Sequence, residues 1–164
     1  MKKILVTGNA GSGKTFISNK LHSITGIQRY CLDSIVWKPE WQVTSTKEKN
    51  EKIKKIIENE KWIIDGVSLD VQREADCVIF LDCSRRISFF RTLKRNIPYM
   101  FKSRPDLPKN CPEIKIIPKL MAIIWNFPYT VKPLILKNFN QVKKQEIYHL
   151  KTRKEVNKFI ENIF

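Results

Sequence analysis

The chain is 164 residues long, 42% hydrophobic and 29% charged, which fits one compact domain with a real core and leaves two full domains cramped. No apolar run reaches the roughly 18 residues that a membrane helix needs, and the longest, Leu120 to Leu136, is broken by Asn126, Pro128, Lys132 and Pro133. The net charge of +15 is uneven: residues 83–164 hold 18 basic and 5 acidic side chains, residues 1–82 hold 13 and 11.

A basic half attracts polyanions, whether nucleotides, DNA or an anionic surface. The plainer alternative is a lysine-solvated face, since 23 of the basic residues are Lys and 8 are Arg. The apolar stretch after Met1-Lys2-Lys3 stops at Thr7, too soon for a signal peptide. Cys31, Cys77, Cys83 and Cys111 show no paired metal spacing and read as reduced thiols of a cytoplasmic chain without a membrane segment.

In chain order, Ile4-Leu5-Val6 is the apolar run of a buried parallel strand. A glycine-rich loop follows, then a helix from Lys14 to about His22. Arg29 to Leu32 predicts a second short strand closed by Asp33, and a loop carries Trp37, Pro39 and Trp41. Ser45-Thr46-Lys47-Glu48 has capping-box spacing and opens a helix with Ile53, Ile56 and Ile57 on one face. Trp62-Ile63-Ile64, closed by Asp65-Gly66, is a third strand, and Cys77 to Leu81, closed by Asp82, a fourth.

A basic helix spans Arg85 to about Arg95. Residues 96–140 hold seven of the eight prolines and predict a helical excursion around Ile116 to Asn126. Glu146 to Leu150 is a fifth strand. A second capping box at Thr152–Glu155 opens a last helix with Val156, Phe159, Ile160 and Ile163 on one face. Strands alternating with helices predict an α/β domain around a parallel sheet.

Gly8-Asn9-Ala10-Gly11-Ser12-Gly13-Lys14-Thr15 matches the phosphate-loop pattern G-x-x-x-x-G-K-[ST], placed between a strand and a helix as its chemistry requires. Glycines let successive N–H groups turn inward, and the helix adds its positive dipole end. Lys14 then reaches the β- and γ-phosphates of ATP, and the Thr15 hydroxyl is placed for Mg²⁺.

Two strand-end carboxylates join this set. Asp65 either holds Mg²⁺ or serves the Asp-Gly turn. Asp33 either orients or deprotonates an acceptor hydroxyl or caps a turn. Asp82 is as readily a helix cap. Arg91 and Arg95, four apart on one helical face with Arg85, Arg86 and Lys94 around them, either stabilise charge developing on a transferred phosphoryl group or form a solvated face. Arg73, Arg104 and Trp37 are candidates for acceptor contacts, Trp41 sharing with Trp37 the alternative of filling a core gap.

Several segments resemble the small adenylate-kinase-like P-loop kinases, most closely the group called DNA topology modulation proteins. They are the Gly8–Thr15 loop, Leu32-Asp33-Ser34-Ile35-Val36-Trp37 with Trp41, Trp62 to Gly66, Arg73 followed by Ala75-Asp76, Arg91-Thr92-Leu93-Lys94-Arg95, Arg104-Pro105-Asp106 and Cys111-Pro112-Glu113. The resemblance implies a single P-loop domain with a five-stranded parallel sheet in the order 2-3-1-4-5. It also implies Mg-ATP at the loop, a helical lid within about residues 96–140, and adenine near Thr152–Glu155. The Asp-Gly-Phe-Pro-Arg string of true adenylate kinases is missing, since Val67-Ser68-Leu69 follows Gly66. The expected activity is transfer of the γ-phosphoryl of Mg-ATP to a small nucleotide or hydroxylated acceptor. The alternative is a nucleotide-dependent DNA-binding regulator.

Overall fold

The computed structural model describes residues 1–103, 110–140 and 145–163. Strands β1 (Lys3–Gly8), β2 (Arg29–Cys31), β5 (Trp62–Asp65), β6 (Cys77–Leu81) and β7 (Glu146–Leu150) form one sheet in the order β2-β5-β1-β6-β7. Every pairing in it is parallel. Counted among themselves in chain order, the five strands run 2-3-1-4-5, as expected. The remaining two, β3 (Trp37–Lys38) and β4 (Gln42–Val43), pair antiparallel as a separate hairpin.

β5 and β6 are buried along their whole length because helices cover both faces of the sheet. The period-two alternation sorts their side chains. Ile4, Val6, Ile63 and Ile79 pack with Ile17 and Leu21 of α1 (Lys14–Thr25) and Phe159 of α8 (Arg153–Ile163). Leu5, Trp62, Ile64 and Val78 turn to the other face. There Val71 of α4 (Leu69–Glu74) and the Ile53, Ile56 and Ile57 stripe of α3 (Thr46–Ile57) cover them.

Both capping boxes form on their N-cap side. The Ser45 hydroxyl accepts from the Glu48 N–H at 3.3 Å, and the Thr152 hydroxyl accepts from the Glu155 N–H at 3.2 Å. The Glu155 carboxylate reaches back to the Lys151 N–H at 2.7 Å. The Glu48 carboxylate instead binds Lys38 and Lys52, so the first box is only half closed. Asp82 is no cap: Ser84 caps α5 (Arg85–Asn96), and Asp82 accepts from Lys132 at 2.7 Å and His149 at 2.8 Å.

Three stretches differ from the sequence reading. The second strand ends at Cys31, and Leu32 opens a short helix, α2 (Leu32–Val36), with Asp33 in its first turn. The Trp37–Trp41 loop is the β3–β4 hairpin, turned through Glu40 and Trp41 at φ 63° and 59°. The excursion is larger than expected, with α6 (Ile117–Thr130) and α7 (Lys132–Phe139). Pro118 and Pro133 sit in first turns, where no helical N–H is needed, so the proline-rich composition did not preclude helix.

Pro128 lies inside α6 and has no N–H to give the carbonyl four residues back, that of Ile124. That carbonyl accepts a hydrogen bond from Asn9 Nδ2 at 2.9 Å, in a buried setting. The phosphate loop is thus fastened to the excursion at the acceptor that the proline exposes. On its other side Gly11, at φ 74°, lies against α5, where an added Cβ would come within 2.5 Å of the Ser88 carbonyl oxygen.

This junction yields a double-mutant test. Asn9→Ala leaves the Ile124 carbonyl buried and unpaired and should cost about 1–3 kcal/mol in denaturant unfolding. Pro128→Ala supplies the missing N–H, so Asn9→Ala should cost about 1 kcal/mol less in that background. An equal cost in both backgrounds would contradict the account.

Candidate functional site

The strand ends collect the loop and both carboxylates. Val6 of β1 and Cys31 of β2 are both in register with Asp65 of β5, so Asp65 stands beside the start of the loop and one residue before α2 brings in Asp33. This is the carboxyl edge of a parallel sheet, where open α/β folds place ligands. A cavity of about 470 Å³ opens there, lined by loop residues including Lys14 and Thr15 and by Asp33, Asp65, Arg91 and Arg95.

Within the loop, Asn9 Oδ1 accepts from the Ala10 N–H at 2.8 Å, and the Ser12 N–H reaches the Asn9 carbonyl at 3.2 Å. Gly13 takes φ 104° at the N-terminus of α1, the conformation that aims the first helical N–H groups at an anion. Lys14 folds back so that Nζ donates to the carbonyls of Gly8 at 3.1 Å and Asn9 at 2.9 Å. Burial pulls its pKa below the ordinary lysine value. The Asp33 and Asp65 carboxylates oppose that shift, and the Arg95 charge adds to it. Cys31 also lines the cavity, but burial, then the Asp65 and Asp33 charges, push its thiol up to about 12, so it is no nucleophile at neutral pH.

Asp65 is held by a residue that the sequence reading passed over. Arg29 donates to Asp65 Oδ2 through Nε at 2.9 Å and Nη2 at 2.5 Å, and Ser18 Oγ donates to the same oxygen at 2.7 Å. The pair is largely buried, with side-chain exposures of 16% and 4%. Three donors on Oδ2 fix the carboxylate and leave Oδ1 for other ligands. The oxygen-rich set of Thr15, Asp65 and Asp33 around one desolvated ammonium fits Mg²⁺, a hard cation, together with a polyphosphate. The signal in the sequence was a lone arginine at the start of a three-residue strand, which needs an acidic partner if it points inward.

Arg91 lines this cavity and also a second one, of about 640 Å³, between the loop and the segment Leu150–Arg153. Phe16, Ile17, Leu81 and Val156 supply the apolar walls of the second cavity, and Lys151, Thr152, Arg153 and Asn157 line it with polar groups. It contains the Thr152 turn singled out for adenine. Arg91 and Arg95 are therefore both placed at the loop, with Arg91 at the junction of the two spaces.

The other named residues divide. Trp37 and Trp41 line the first cavity and meet edge to face, ring centroids 5.2 Å apart. Trp41 Nε1 donates to the Pro112 carbonyl at 2.8 Å, stapling the hairpin to the excursion. Arg73 does not come to the site; it pairs with Asp70 at 3.0 Å on the exposed face of α4, because α4 turns it away from the strand ends. Arg104 lies outside the described residues. Arg85 is no part of an anion-binding stripe: its guanidinium stacks over Trp125 at 4.3 Å and bonds Tyr129, tying α5 to α6.

No protein-family model matches the chain, and no curated protein matches it. Solved structures do. A shikimate kinase from Bacteroides thetaiotaomicron superposes over 98% of this chain and 94% of its own, with a TM-score of 0.59 and 14% identity. A shikimate kinase from Acinetobacter baumannii in complex with shikimate covers 99% and 90%, at 0.60 and 13%. An unliganded sugar kinase from Janibacter covers 99% and 92%, at 0.53 and 15%. These likenesses show a shared P-loop kinase fold over essentially the whole chain.

The depressed Lys14 makes a pH prediction. A polyphosphate restores the pKa that burial lowers, so ATP binding should take up protons once pH exceeds the lowered value. Affinity should be level below that value and fall as pH rises through it. Calorimetry in buffers of different ionisation enthalpy should show this uptake growing from neutral to alkaline pH, and Lys14→Met should abolish it. Proton-neutral binding across that range would contradict the shift.

Proposed function

We propose that the chain is an ATP-dependent phosphotransferase of the adenylate-kinase-like class, moving the γ-phosphoryl of Mg-ATP to a small acceptor. The observation that carries this reading is the shared cavity. Lys14 lines it at the sheet's carboxyl edge together with Asp33, Asp65, Arg91 and Arg95. The kinase fold of the neighbours supports it. The Leu32–Trp37 string and the Arg91–Arg95 pair support the finer resemblance to the topology modulation group. Residues 1–164 form one domain in this reading, with about 96–140 as lid and acceptor wall, in a cytoplasmic protein.

Lys14, released from the Gly8 and Asn9 carbonyls, binds the β- and γ-phosphates together with the N–H groups of Gly8–Thr15. Thr15 and Asp65 Oδ1 would hold Mg²⁺, which supplies charge neutralisation on the phosphate oxygens. Asp33 orients the acceptor hydroxyl. The acceptor oxygen bonds to the γ-phosphorus as the bond to ADP breaks, and ADP keeps the electron pair. The hydroxyl proton passes to Asp33 and on to solvent. Arg91 and Arg95 stabilise charge on the equatorial oxygens. Positioning and electrostatics supply most of the acceleration, so Asp33 need not be a strong base.

Turnover of Mg-ATP across nucleoside monophosphates, nucleosides, hydroxylated metabolites and DNA tests the reading. Stimulation by a small acceptor should vanish in Lys14→Ala and fall by roughly 10³ or more in Arg95→Ala. Lys14→Ala turnover within twofold of wild type would overturn the assignment of the site. Stimulation by DNA alone would favour the nucleotide-dependent regulator instead.

A further inference from the structure

The first cavity has two unlike ends. At the loop it is polar. Away from the loop its apolar walls come largely from two elements. One is the hairpin side, with Val36, Trp37 and Trp41. The other is α6 and the turn before it, with Ile116, Leu120, Ile123 and Phe127. These four lie at intervals of 4, 3 and 4 residues, one continuous helical stripe. A stripe of this kind usually packs against a neighbouring element, and Phe127 does so beside Phe80 and Ile135, yet Ile123 is 47% exposed and Ile116, Leu120 and Ile123 line a space of ligand size.

Two donors at the hairpin side are already committed. Trp41 spends its indole N–H on the Pro112 carbonyl, so it offers the cavity only ring surface. Cys111 Sγ is engaged with the Lys38 carbonyl at 3.5 Å, a second staple between hairpin and excursion. These two bonds tie the hairpin to the excursion.

We infer that the acceptor is a hydroxyl compound with a planar, largely apolar ring body, of the nucleoside or aryl-alcohol class, rather than a polyol such as a sugar or cyclitol. The inference rests on the phosphotransferase reading and deepens it. A polyol presents hydroxyls around its whole rim, and each one buried against Leu120, Phe127 or a tryptophan ring loses its water without a partner. A planar ring loses nothing there and gains edge and face contacts with the paired indoles. One hydroxyl is provided for, at Asp33, next to the γ-phosphate position. Apart from the loop, Asp33, Asp65, Arg91 and Arg95, which the transferred phosphoryl group would engage, the described residues that line this cavity are largely apolar, although shikimate is what the structural neighbour from Acinetobacter baumannii holds.

Binding separates the classes without turnover. Nucleosides and benzylic alcohols on one side, and shikimate, gluconate and myo-inositol on the other, are titrated against tryptophan fluorescence with saturating Mg-ADP filling the second cavity. Ring compounds should bind at least tenfold more tightly than polyols. Ile123→Lys, at a position already partly exposed and so tolerant of charge, should weaken ring binding at least tenfold. Trp41→Leu provides a second variant, with the same expected loss. Tighter binding of polyols, equal binding of both classes, or binding of neither overturns the inference. ADP affinity, titrated in the same samples, reads the phosphate loop separately. Intact ADP binding with polyol-only acceptor binding rejects the ring site and spares the phosphotransferase. Ring binding lost in Ile123→Lys, with no ADP binding, supports the ring site and rejects the phosphotransferase.

Discussion

The hydrogen bond from Asn9 to the Ile124 carbonyl couples the two halves of the cleft. It exists because Pro128 withholds the N–H that the carbonyl would otherwise receive within α6. One residue of the phosphate loop is thereby fixed to the helix that lines the first cavity with Leu120, Ile123 and Phe127. On the opposite flank Gly11 presses against α5, the helix that carries Arg91 and Arg95. The loop is gripped between the helix that would stabilise the phosphoryl group and the helix that would shape its destination. Displacement of either helix is felt at the loop, since packed interiors transmit shifts rather than absorb them.

Electrostatics complete the arrangement. Burial disfavours the Lys14 ammonium, and two carboxylates only partly compensate. A polyphosphate would remove that penalty, so the site favours an anion over a neutral ligand. Arg29 plays an opposite part. It pairs with Asp65 on one oxygen, which fixes the direction of the other. Arg91 lines both cavities and so stands at their junction.

What the sequence disclosed follows from how local each determinant is. The Gly8–Thr15 loop, the strands at Ile4, Trp62 and Cys77 and the two capping boxes depend on neighbours a few residues away, and all stand where they were expected. Arg29 and Asp65 are 36 residues apart and meet only because β2 and β5 pair. Asn9 and Ile124 are 115 apart, and a proline-rich stretch gives no hint that its helices continue to Phe139. Asp33 was placed at a strand end, whereas Leu32 is buried and starts a helix one residue earlier. Arg73 looked suitable by type alone, and the direction of a short helix decided against it. The Ile116, Leu120, Ile123, Phe127 stripe was visible as spacing, but spacing cannot distinguish a wall around a ligand from a packed face.

The most direct measurement is a crystal structure with Mg²⁺ and a non-hydrolysable ATP analogue. The account predicts the β- and γ-phosphates on Lys14 and the Gly8–Thr15 amides, and the base in the slot beside Leu150–Arg153. Arg91 would lie between the two, and the space lined by Trp37 and Leu120 would remain open. Phosphates bound away from Lys14, or a base lodged between the tryptophans and α6, would contradict it.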